Sequence, residues 1–159
     1  MKYVHHYKSP IGNITMTSDG KALTKLYFND QKYNENALQK ILPIFEQTDK
    51  WLDIYFQGIA PDFIPVIKIE TTPFRKTVWE ILLTIGFGQT RTYGEIAAQI
   101  AKQKKLKKMS AQAVGGAVGH NPIALIIPCH RVVGANGNLK GYAAGLDKKI
   151  KLLELEKPH

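Results

Sequence analysis

The chain has 159 residues, of which 44% are hydrophobic and 22% charged, a composition typical of a globular protein rather than a fibrous or disordered one. Its single cysteine excludes an internal disulfide, and no run approaches the ~20 consecutive apolar residues that span a bilayer. Because exported chains usually pair their cysteines and no apolar signal segment follows Met1, we expect a cytoplasmic protein with no membrane partner. The formal charge of +9 lies entirely within residues 74–159, which favours a polyanion as partner of the second half.

The first part of the chain has the pattern of a small antiparallel sheet with helices. Short runs rich in β-branched and aromatic residues, separated by turn signals, lie near Lys2–Lys8, Asn13–Thr17 and Ala22–Phe28. A helical pattern from Asn34 to Gly58, interrupted by Pro43, precedes a further short β-rich run at Phe63–Ile69. These features predict an α/β N-terminal domain over residues 1–72.

The second part of the chain, residues 73–159, is predicted to be a mainly α domain. Thr72 is a good N-cap and Pro73 suits the first helical position, so a helix is expected to begin there. Apolar residues recur at helical spacing as far as about Ile85, which predicts that this face of the helix lies in the core.

A pair of short helices is predicted to follow. Thr92 and Glu95 fit a capping box at the start of a short helix over 93–101. Five lysines within residues 102–108 lead into another short helix over 110–119. Two short helices joined by a basic loop have the outline of a helix-turn-helix, so the C-terminal domain is predicted to contain this DNA-binding motif.

The second helix of this pair carries very little side chain. Its small residues are Ala111, Ala113, Gly115, Gly116 and Ala117. Each helical glycine costs about 1 kcal/mol relative to alanine, and either close approach to another surface or tight packing against a neighbouring helix would explain that cost. Reading bases in the major groove requires long polar side chains, so a helix this bare favours shallow insertion into a groove with little regard to sequence.

The segment Pro128-Cys129-His130 carries the clearest chemistry. We predict that the apolar run Ile123–Ile127 before it is a buried strand that places Cys129 rigidly, as a nucleophile requires. A free thiol has a pKa of about 8.5 and therefore needs a base at neutral pH. His130 can act as that base through a bridging water, and Glu156 is a candidate acceptor to orient the imidazole. The alternative is a structural cysteine beside a hydrogen-bonded histidine.

The residues Pro128-Cys129-His130-Arg131-Val132, following Gly119-His120-Asn121-Pro122, closely resemble the active-site motif of the methylated-DNA–protein-cysteine methyltransferases, also called O6-alkylguanine-DNA alkyltransferases. The resemblance extends from about Thr72 to Glu156. It implies DNA repair by direct reversal, in which O6-methylguanine, and usually also O4-methylthymine, is flipped out of duplex DNA. The alkyl group then moves irreversibly to the protein's own cysteine, so each molecule acts once. No cofactor is implied, the partner is double-stranded DNA carrying O6-alkylguanine, and we expect a monomer.

The resemblance also implies catalytic roles. Cys129 would be the alkyl acceptor, His130 would deprotonate it through a water, and Glu156 would hold the histidine. Asn121 would tie the helix-turn-helix to the active-site loop. The expected substrate- and DNA-binding residues are Tyr93, Ser110, Ala111, Gln112, Ala113, Gly115, Val132, Tyr142 and Ala143.

Several of these binding residues have individual implied roles. Tyr93 would hydrogen-bond the extruded base, and Tyr142 would line its pocket. The Val132 carbonyl would accept from the guanine amino group, while the Ala143 amide would donate toward the guanine oxygen. The small-residue helix from Ser110 would lie in the minor groove.

The sequence departs from the family pattern at one position. Many members have an arginine in the recognition helix where this chain has Gln112, and that side chain fills the gap left by the flipped base. We predict retained activity with weaker or less salt-sensitive DNA binding, which the lysine run upstream offsets. The chain also lacks the cysteines that bind zinc in some larger relatives, and we interpret His5 and His6 as surface or packing residues, so no metal is predicted.

Two other functions compete with alkyl transfer. A non-catalytic protein could bind alkylated DNA and flag it for another pathway, but relatives of that kind lack the reactive cysteine that Cys129 supplies. A Cys-His hydrolase or acyltransferase would need an oxyanion hole and an acyl cleft, for which a base-flipping helix has no use. The resemblance therefore favours the suicidal alkyltransferase.

Overall fold

A four-stranded sheet forms the N-terminal part of the computed structural model, which describes residues 1–29, 36–139 and 141–158. Its strands are β1 (Tyr3–Ser9), β2 (Gly12–Ser18), β3 (Leu23–Phe28) and β4 (Leu38–Gln39). The spatial order is β3-β2-β1-β4, in which β1 pairs antiparallel with β2 and parallel with β4. β2 and β3 are also antiparallel. The three strands predicted before residue 29 are confirmed.

The helix predicted from Asn34 to Gly58 is shorter than expected. The first helix, α1, covers Pro43–Tyr55 and follows the short strand β4. It begins at Pro43 because the fixed φ of proline suits the first turn, where its missing N–H costs nothing. Asn34, at the start of the predicted helix, lies outside the described residues.

The β-rich run at Phe63–Ile69 does not form a regular strand, so this prediction is wrong. The run is extended and meets the sheet in a single bridge, between Ile67 and Leu23. The Leu23 amide donates to the Val66 carbonyl at 2.8 Å, and the Lys68 amide donates to the Leu23 carbonyl at 2.8 Å.

Helices dominate the C-terminal part. Its elements are α2 (Pro73–Leu82), β5 (Arg91–Thr92), α3 (Tyr93–Gln103), α4 (Ala111–Gly119), a 3-10 helix (Cys129–Arg131), β6 (Val132–Val133), a second 3-10 helix (Ala135–Gly137) and α5 (Leu146–Leu155). Thr72 caps α2 through its side chain, and both hydrogen bonds of the Thr92–Glu95 capping box are present at the start of α3. α4 packs against both α2 and α3. The predicted fold class is confirmed, and the contact between α3 and α4 is consistent with the predicted helix-turn-helix.

The apolar run Ile123–Ile127 is buried but is not a strand, which contradicts the prediction. Only its beginning reaches the free edge of β3, where the Leu26 amide donates to the Pro122 carbonyl and the Ala124 amide donates to the Leu26 carbonyl, both at 2.9 Å. The chain then turns sharply, with Leu125 at φ +69°. An apolar run therefore indicated burial correctly, but without a second bonding partner it did not extend as a strand.

One hydrophobic core runs through both parts of the molecule. It joins residues of the sheet and α1 to residues of α2–α5, and its fully buried members include Phe28, Phe45, Tyr55, Leu82, Ile96 and Leu152. Among the described residues, no helix is long and apolar enough to cross a bilayer.

His5 and His6 lie on opposite faces of β1, as strand alternation predicts. His5 stacks on Phe45, with ring centroids 5.2 Å apart, and its Nε2 lies 2.8 Å from Asp49 Oδ2. His6 Nδ1 lies 3.0 Å from Thr15 Oγ1. Within the described ranges, no group of three metal-ligating side chains comes together.

Candidate active site

Cys129 begins a 3-10 helix directly after Pro128 and is 8% exposed. Its amide donates to the Ile127 carbonyl at 2.8 Å, which fixes the turn that carries the thiol. Burial raises the pKa of the Cys129 thiol, and this outweighs the lowering effects of the Asn121 side chain and the nearby Lys149 charge. The resting cysteine is therefore a protonated thiol that requires a base before it can act as a nucleophile.

His130 is fully buried next to the cysteine, and its Nε2 lies 2.5 Å from Glu156 Oε2. Because an ionised carboxylate only accepts, Nε2 carries the proton and Nδ1 keeps a free lone pair. Nδ1 is buried and has no hydrogen-bond partner among the described residues. Burial lowers the pKa of His130 despite the opposing effect of Glu156, so the imidazole is neutral at pH 7 and able to accept a proton.

Glu156 caps the end of α5 and accepts hydrogen bonds from four residues. Oε1 accepts from Arg131 Nε at 2.8 Å and from the Gly88 amide at 3.1 Å. Oε2 accepts from His130 Nε2, from the Tyr55 hydroxyl at 2.6 Å and from Arg131 Nη2 at 3.2 Å. Burial raises the pKa of this carboxyl, but the hydrogen bonds and charges of His130 and Arg131 prevail and hold the pKa at about 2.

Asn121 connects the end of α4 to the segment that carries the cysteine. Its Nδ2 donates to the Ile127 carbonyl at 2.8 Å, and its Oδ1 accepts from the Ile123 amide at 3.0 Å. The same side chain lowers the pKa of the Cys129 thiol through a hydrogen bond. Asn121 thus holds both ends of the turn that replaces the predicted strand.

A cavity of about 350 Å³ opens beside Cys129. Its walls include Tyr93, Gly115, Asn121, Tyr142 and Ala143. The hydroxyl of Tyr142 is buried and has no hydrogen-bond partner among the described residues. This volume falls in the range of small-molecule sites, so the cavity can hold a planar heterocycle against the thiol.

The residues expected to bind the substrate and DNA occupy two places. Tyr93, Gly115, Tyr142 and Ala143 line the cavity, whereas Ser110, Ala111, Gln112 and Ala113 lie exposed at the start of α4. Val132 is buried in β6, and its carbonyl accepts from Lys149 Nζ at 2.7 Å, which leaves the second lone pair of the oxygen for another donor.

The surroundings of the α4 glycines show whether packing against a neighbouring helix explains them. A Cβ on Gly115 would meet the ring of Tyr93 at 3.8 Å, an ordinary contact. A Cβ on Gly116 or Gly119 would meet nothing within 4 Å. Packing against a neighbouring helix therefore does not explain Gly116 or Gly119, which lie on the exposed side of α4, whereas Ala117 is buried.

Three site residues were missed by the sequence interpretation. Tyr55 is part of an apolar stripe in α1, and Lys149 lies in a lysine-rich helix, so both look ordinary in the sequence. Arg131 lies inside the motif, but nothing in the spacing indicates that it pairs with Glu156. Lys149 is fully buried, and its Nζ also donates to the Gly141 carbonyl at 3.2 Å.

The class of protein is defined by a small α/β part joined to a helical part, and by a buried group of Cys129, His130 and Glu156 in the helical part. Two family models match the chain. The model described as "6-O-methylguanine DNA methyltransferase, DNA binding domain" matches residues 73–158. The model described as "6-O-methylguanine DNA methyltransferase, ribonuclease-like domain" matches residues 2–65. The chain belongs to the methylated-DNA–protein-cysteine methyltransferase family.

Individual relatives agree over nearly the whole chain. The methylated-DNA–protein-cysteine methyltransferase of Mycobacterium tuberculosis is 43% identical over 96% of this chain and 92% of its own length. That of Methanosarcina mazei is 43% identical over 97% of this chain and 96% of its own length. The crystal structure of Mycobacterium tuberculosis OGT in complex with DNA matches with a TM-score of 0.86 and 42% identity, and the match covers 98% of this chain and 92% of that one.

Proposed function

We propose that this protein repairs DNA by direct reversal, moving the methyl group of O6-methylguanine to Sγ of Cys129. The observation that supports this most strongly is the buried Cys129 thiol, which lines a cavity large enough for a base and is adjacent in the chain to a neutral imidazole. The family and the relatives named methylated-DNA–protein-cysteine methyltransferase support the same reaction. O4-methylthymine is included in the proposal as a second substrate.

The proposed step is a displacement at the methyl carbon. The Cys129 thiol gives its proton to His130 Nδ1 through a water, and Glu156 stabilises the imidazolium that forms. The sulfur then forms a bond to the methyl carbon as the bond from that carbon to guanine O6 breaks. The guanine keeps the electron pair of the broken bond and takes up one proton, so guanine and a thioether are the products. Donors near O6, for which the Tyr93 hydroxyl and the Ala143 amide are candidates, lower the barrier by stabilising the developing negative charge.

No cofactor is required by this chemistry, because the DNA supplies the methyl group and the protein supplies its acceptor. The thioether carries no good leaving group, and no step of this mechanism removes the methyl group from the sulfur. Each molecule therefore acts once. A thiol nucleophile must also remain reduced, which fits the proposed cytoplasmic location.

Access to Cys129 requires that the base leaves the duplex. The thiol is almost completely buried, and an O6 substituent inside stacked DNA could not reach it. The exposed start of α4, which carries Ser110, Ala111, Gln112 and Ala113, is proposed to enter the minor groove. Gly116 and Gly119 leave the space that a close approach to DNA needs, and the positive charge of residues 74–159 attracts the phosphates. We propose that a monomer performs the reaction.

The test uses a duplex with one O6-methylguanine, incubated with increasing amounts of protein and then digested to nucleosides for quantification. The expected result is loss of O6-methylguanine with equal gain of guanine, ending when one lesion has been repaired per protein molecule. Cys129→Ser is expected to bind the same duplex and to leave the lesion intact. Binding by the wild type without repair would support the lesion-flagging function instead, and repair of many lesions per molecule would contradict a suicidal mechanism. A duplex with O4-methylthymine tests the second substrate in the same way.

A further inference from the structure

A residue of the N-terminal part reaches into the His130–Glu156 pair. Tyr55 is the last residue of α1 and is fully buried. Its ring stacks on Trp51 at 5.2 Å between centroids and meets Phe87 edge-on at 5.9 Å. The His130 ring lies at 6.4 Å, again edge-on. This packing gives the phenol a single orientation, so its hydroxyl is placed as firmly as the imidazole.

The Tyr55 hydroxyl shares its acceptor with the histidine. It donates to Glu156 Oε2 at 2.6 Å, the same oxygen that accepts from His130 Nε2 at 2.5 Å. The hydroxyl oxygen lies 3.4 Å from Nε2, but the single Nε2 proton is already directed at the carboxylate. Burial and the charge of Glu156 raise the pKa of Tyr55, so the phenol keeps its proton and remains a donor at every working pH.

We propose that Tyr55 is a positioning residue that keeps His130 in its neutral, proton-accepting form, an inference that rests on the proposed methyl transfer. A donor on Oε2 withdraws negative charge from the oxygen that would otherwise stabilise the imidazolium. Protonation of His130 in the resting protein therefore becomes less favourable. The N-terminal part thus contributes one side chain to the chemistry of the C-terminal part.

Other groups around His130 act on its charge as well. Glu156 favours the imidazolium, whereas the cations Arg131 and Lys149 oppose it. The Tyr142 ring lies 6.5 Å from the imidazole on the cavity side. The neighbouring Cys129 thiol is protonated at rest. Because Tyr55→Phe keeps the aromatic ring and leaves all of these groups in place, it removes one donor from Oε2 and leaves the hydrogen bonds from His130 and Arg131.

The experiment measures the rate of a single methyl transfer from an O6-methylguanine duplex between pH 5 and 8. Without the Tyr55 hydroxyl, Oε2 stabilises the imidazolium more strongly and the pKa of His130 rises. The acid limb of the pH–rate profile in Tyr55→Phe is therefore expected to move upward by about half to one pH unit, with the rate at the high-pH plateau nearly retained. On the acid limb this means a loss of about threefold to tenfold.

Tyr7→Phe is the matched control. The Tyr7 hydroxyl donates to Asp53 Oδ1 at 2.5 Å in the same N-terminal part, away from the cysteine, so its removal is expected to leave the profile unchanged. Urea unfolding of all three proteins shows how much is folded at each pH. If Tyr55 serves packing alone, Tyr55→Phe alters unfolding while its acid limb coincides with that of the wild type, and the inference is overturned.

Failure of the proposed function gives a different result, since the wild type then transfers no methyl group at any pH. If Tyr55→Phe does not fold, 3-fluorotyrosine placed at position 55 provides the complementary measurement. Fluorine makes the phenol a stronger donor, so the acid limb is expected to move to lower pH. An unchanged acid limb in that folded protein would also overturn the inference.

Discussion

The buried centre around Glu156 and the exposed face of α4 both belong mainly to the C-terminal part of the chain, but different physical interactions determine them. At the centre, the Glu156 carboxylate accepts hydrogen bonds from His130, Arg131, Tyr55 and the Gly88 amide. These contacts keep Glu156 ionised. On α4, a Cβ added at Gly116 or Gly119 would meet no atom within 4 Å, so the fold makes no packing contact at these two positions. Changes at the centre should therefore affect both folding and chemistry, whereas changes on α4 and its loop should affect DNA binding and leave the chemistry of the centre unchanged.

The largest effect is expected for Glu156→Gln. The amide cannot balance the buried Arg131 charge, so the unfolding free energy should fall by about 3–5 kcal/mol. The rate of methyl transfer should fall by about 100-fold or more, because His130 loses the carboxylate that orients it and stabilises its charged form. Urea unfolding and single-turnover kinetics measure the two losses.

Glu154→Gln is the matched control for this change. Glu154 also lies in α5, but it is exposed and forms an ion pair with Lys157 at 2.7 Å. Such pairs contribute little, so stability should change by less than about 1 kcal/mol and the rate should be retained. Equal changes in stability and in methyl-transfer rate for Glu156→Gln and Glu154→Gln would contradict the distinction between the buried centre and the surface.

Lowering the pH should reduce the stability of the protein by protonating Glu156. The pKa of Glu156 is lowered from 4.5 to about 2 on folding, so its contribution to stability is complete above about pH 4.5 and is lost as the pH falls toward 2. Over this interval the wild type should lose about 3 kcal/mol more than Glu156→Gln. Urea unfolding at several pH values between 7 and 2 follows the difference, and parallel curves for the two proteins would contradict it.

On the DNA-facing side, the largest effect is expected from the lysine loop. Replacing Lys107 and Lys108 by glutamine should reduce the slope of log affinity against log salt by about two, close to one for each phosphate that the protein no longer neutralises. Stability should be unchanged, because both side chains are exposed. Glutamine at Lys21 and Lys50 removes the same charge from the N-terminal part and should leave the salt slope as it is. DNA binding titrations at several salt concentrations compare the two double variants.

Gly116→Ala should have opposite effects on the stability of the protein and on its affinity for DNA. Alanine favours the helix and meets no atom within 4 Å, so the protein should become more stable by about 0.5–1 kcal/mol. The added methyl group projects from the face proposed to enter the groove, so affinity for DNA should fall. A variant that gains stability and binds DNA as well as the wild type would show that this face does not approach DNA closely.

The smallest effect is expected for Gln112→Arg. Gln112 is exposed on α4, and an arginine there adds charge and reach. Affinity should increase a few-fold with a slightly steeper salt dependence, while methyl transfer is retained in both proteins. Identical affinities and rates across the salt series would contradict the interpretation of this position.

Local signals in the sequence predicted local structure well. The capping box at Thr92–Glu95 was predictable because its two hydrogen bonds lie within four residues, and the strands of the first sheet follow turn signals beside them. Ile123–Ile127 misled the prediction because burial on all sides has no periodicity that distinguishes a strand from a compact turn. Its conformation depends on β3 and on Asn121, which only the fold brings into contact with it.

The motif predicted the cysteine and the histidine but not their surroundings. Tyr55 lies 75 positions from His130 in the chain, and its packing stripe gives no sign of the hydrogen bond to Glu156. The buried ammonium of Lys149 occurs in a run of charged residues that resembles a solvated helix face. Long-range polar contacts of this kind leave no local pattern, so the sequence predicts the nucleophile but not the distant side chains that surround it.

Intact-protein mass spectrometry after incubation with an O6-methylguanine duplex tests the central claim most directly. The wild type should gain the mass of a single CH2, since a methyl group replaces the thiol proton, and peptide mapping should place it on Cys129. Cys129→Ser should show no gain under the same conditions. A wild type that binds the duplex and gains no mass, or that carries the methyl group at another residue, would contradict Cys129 as the acceptor.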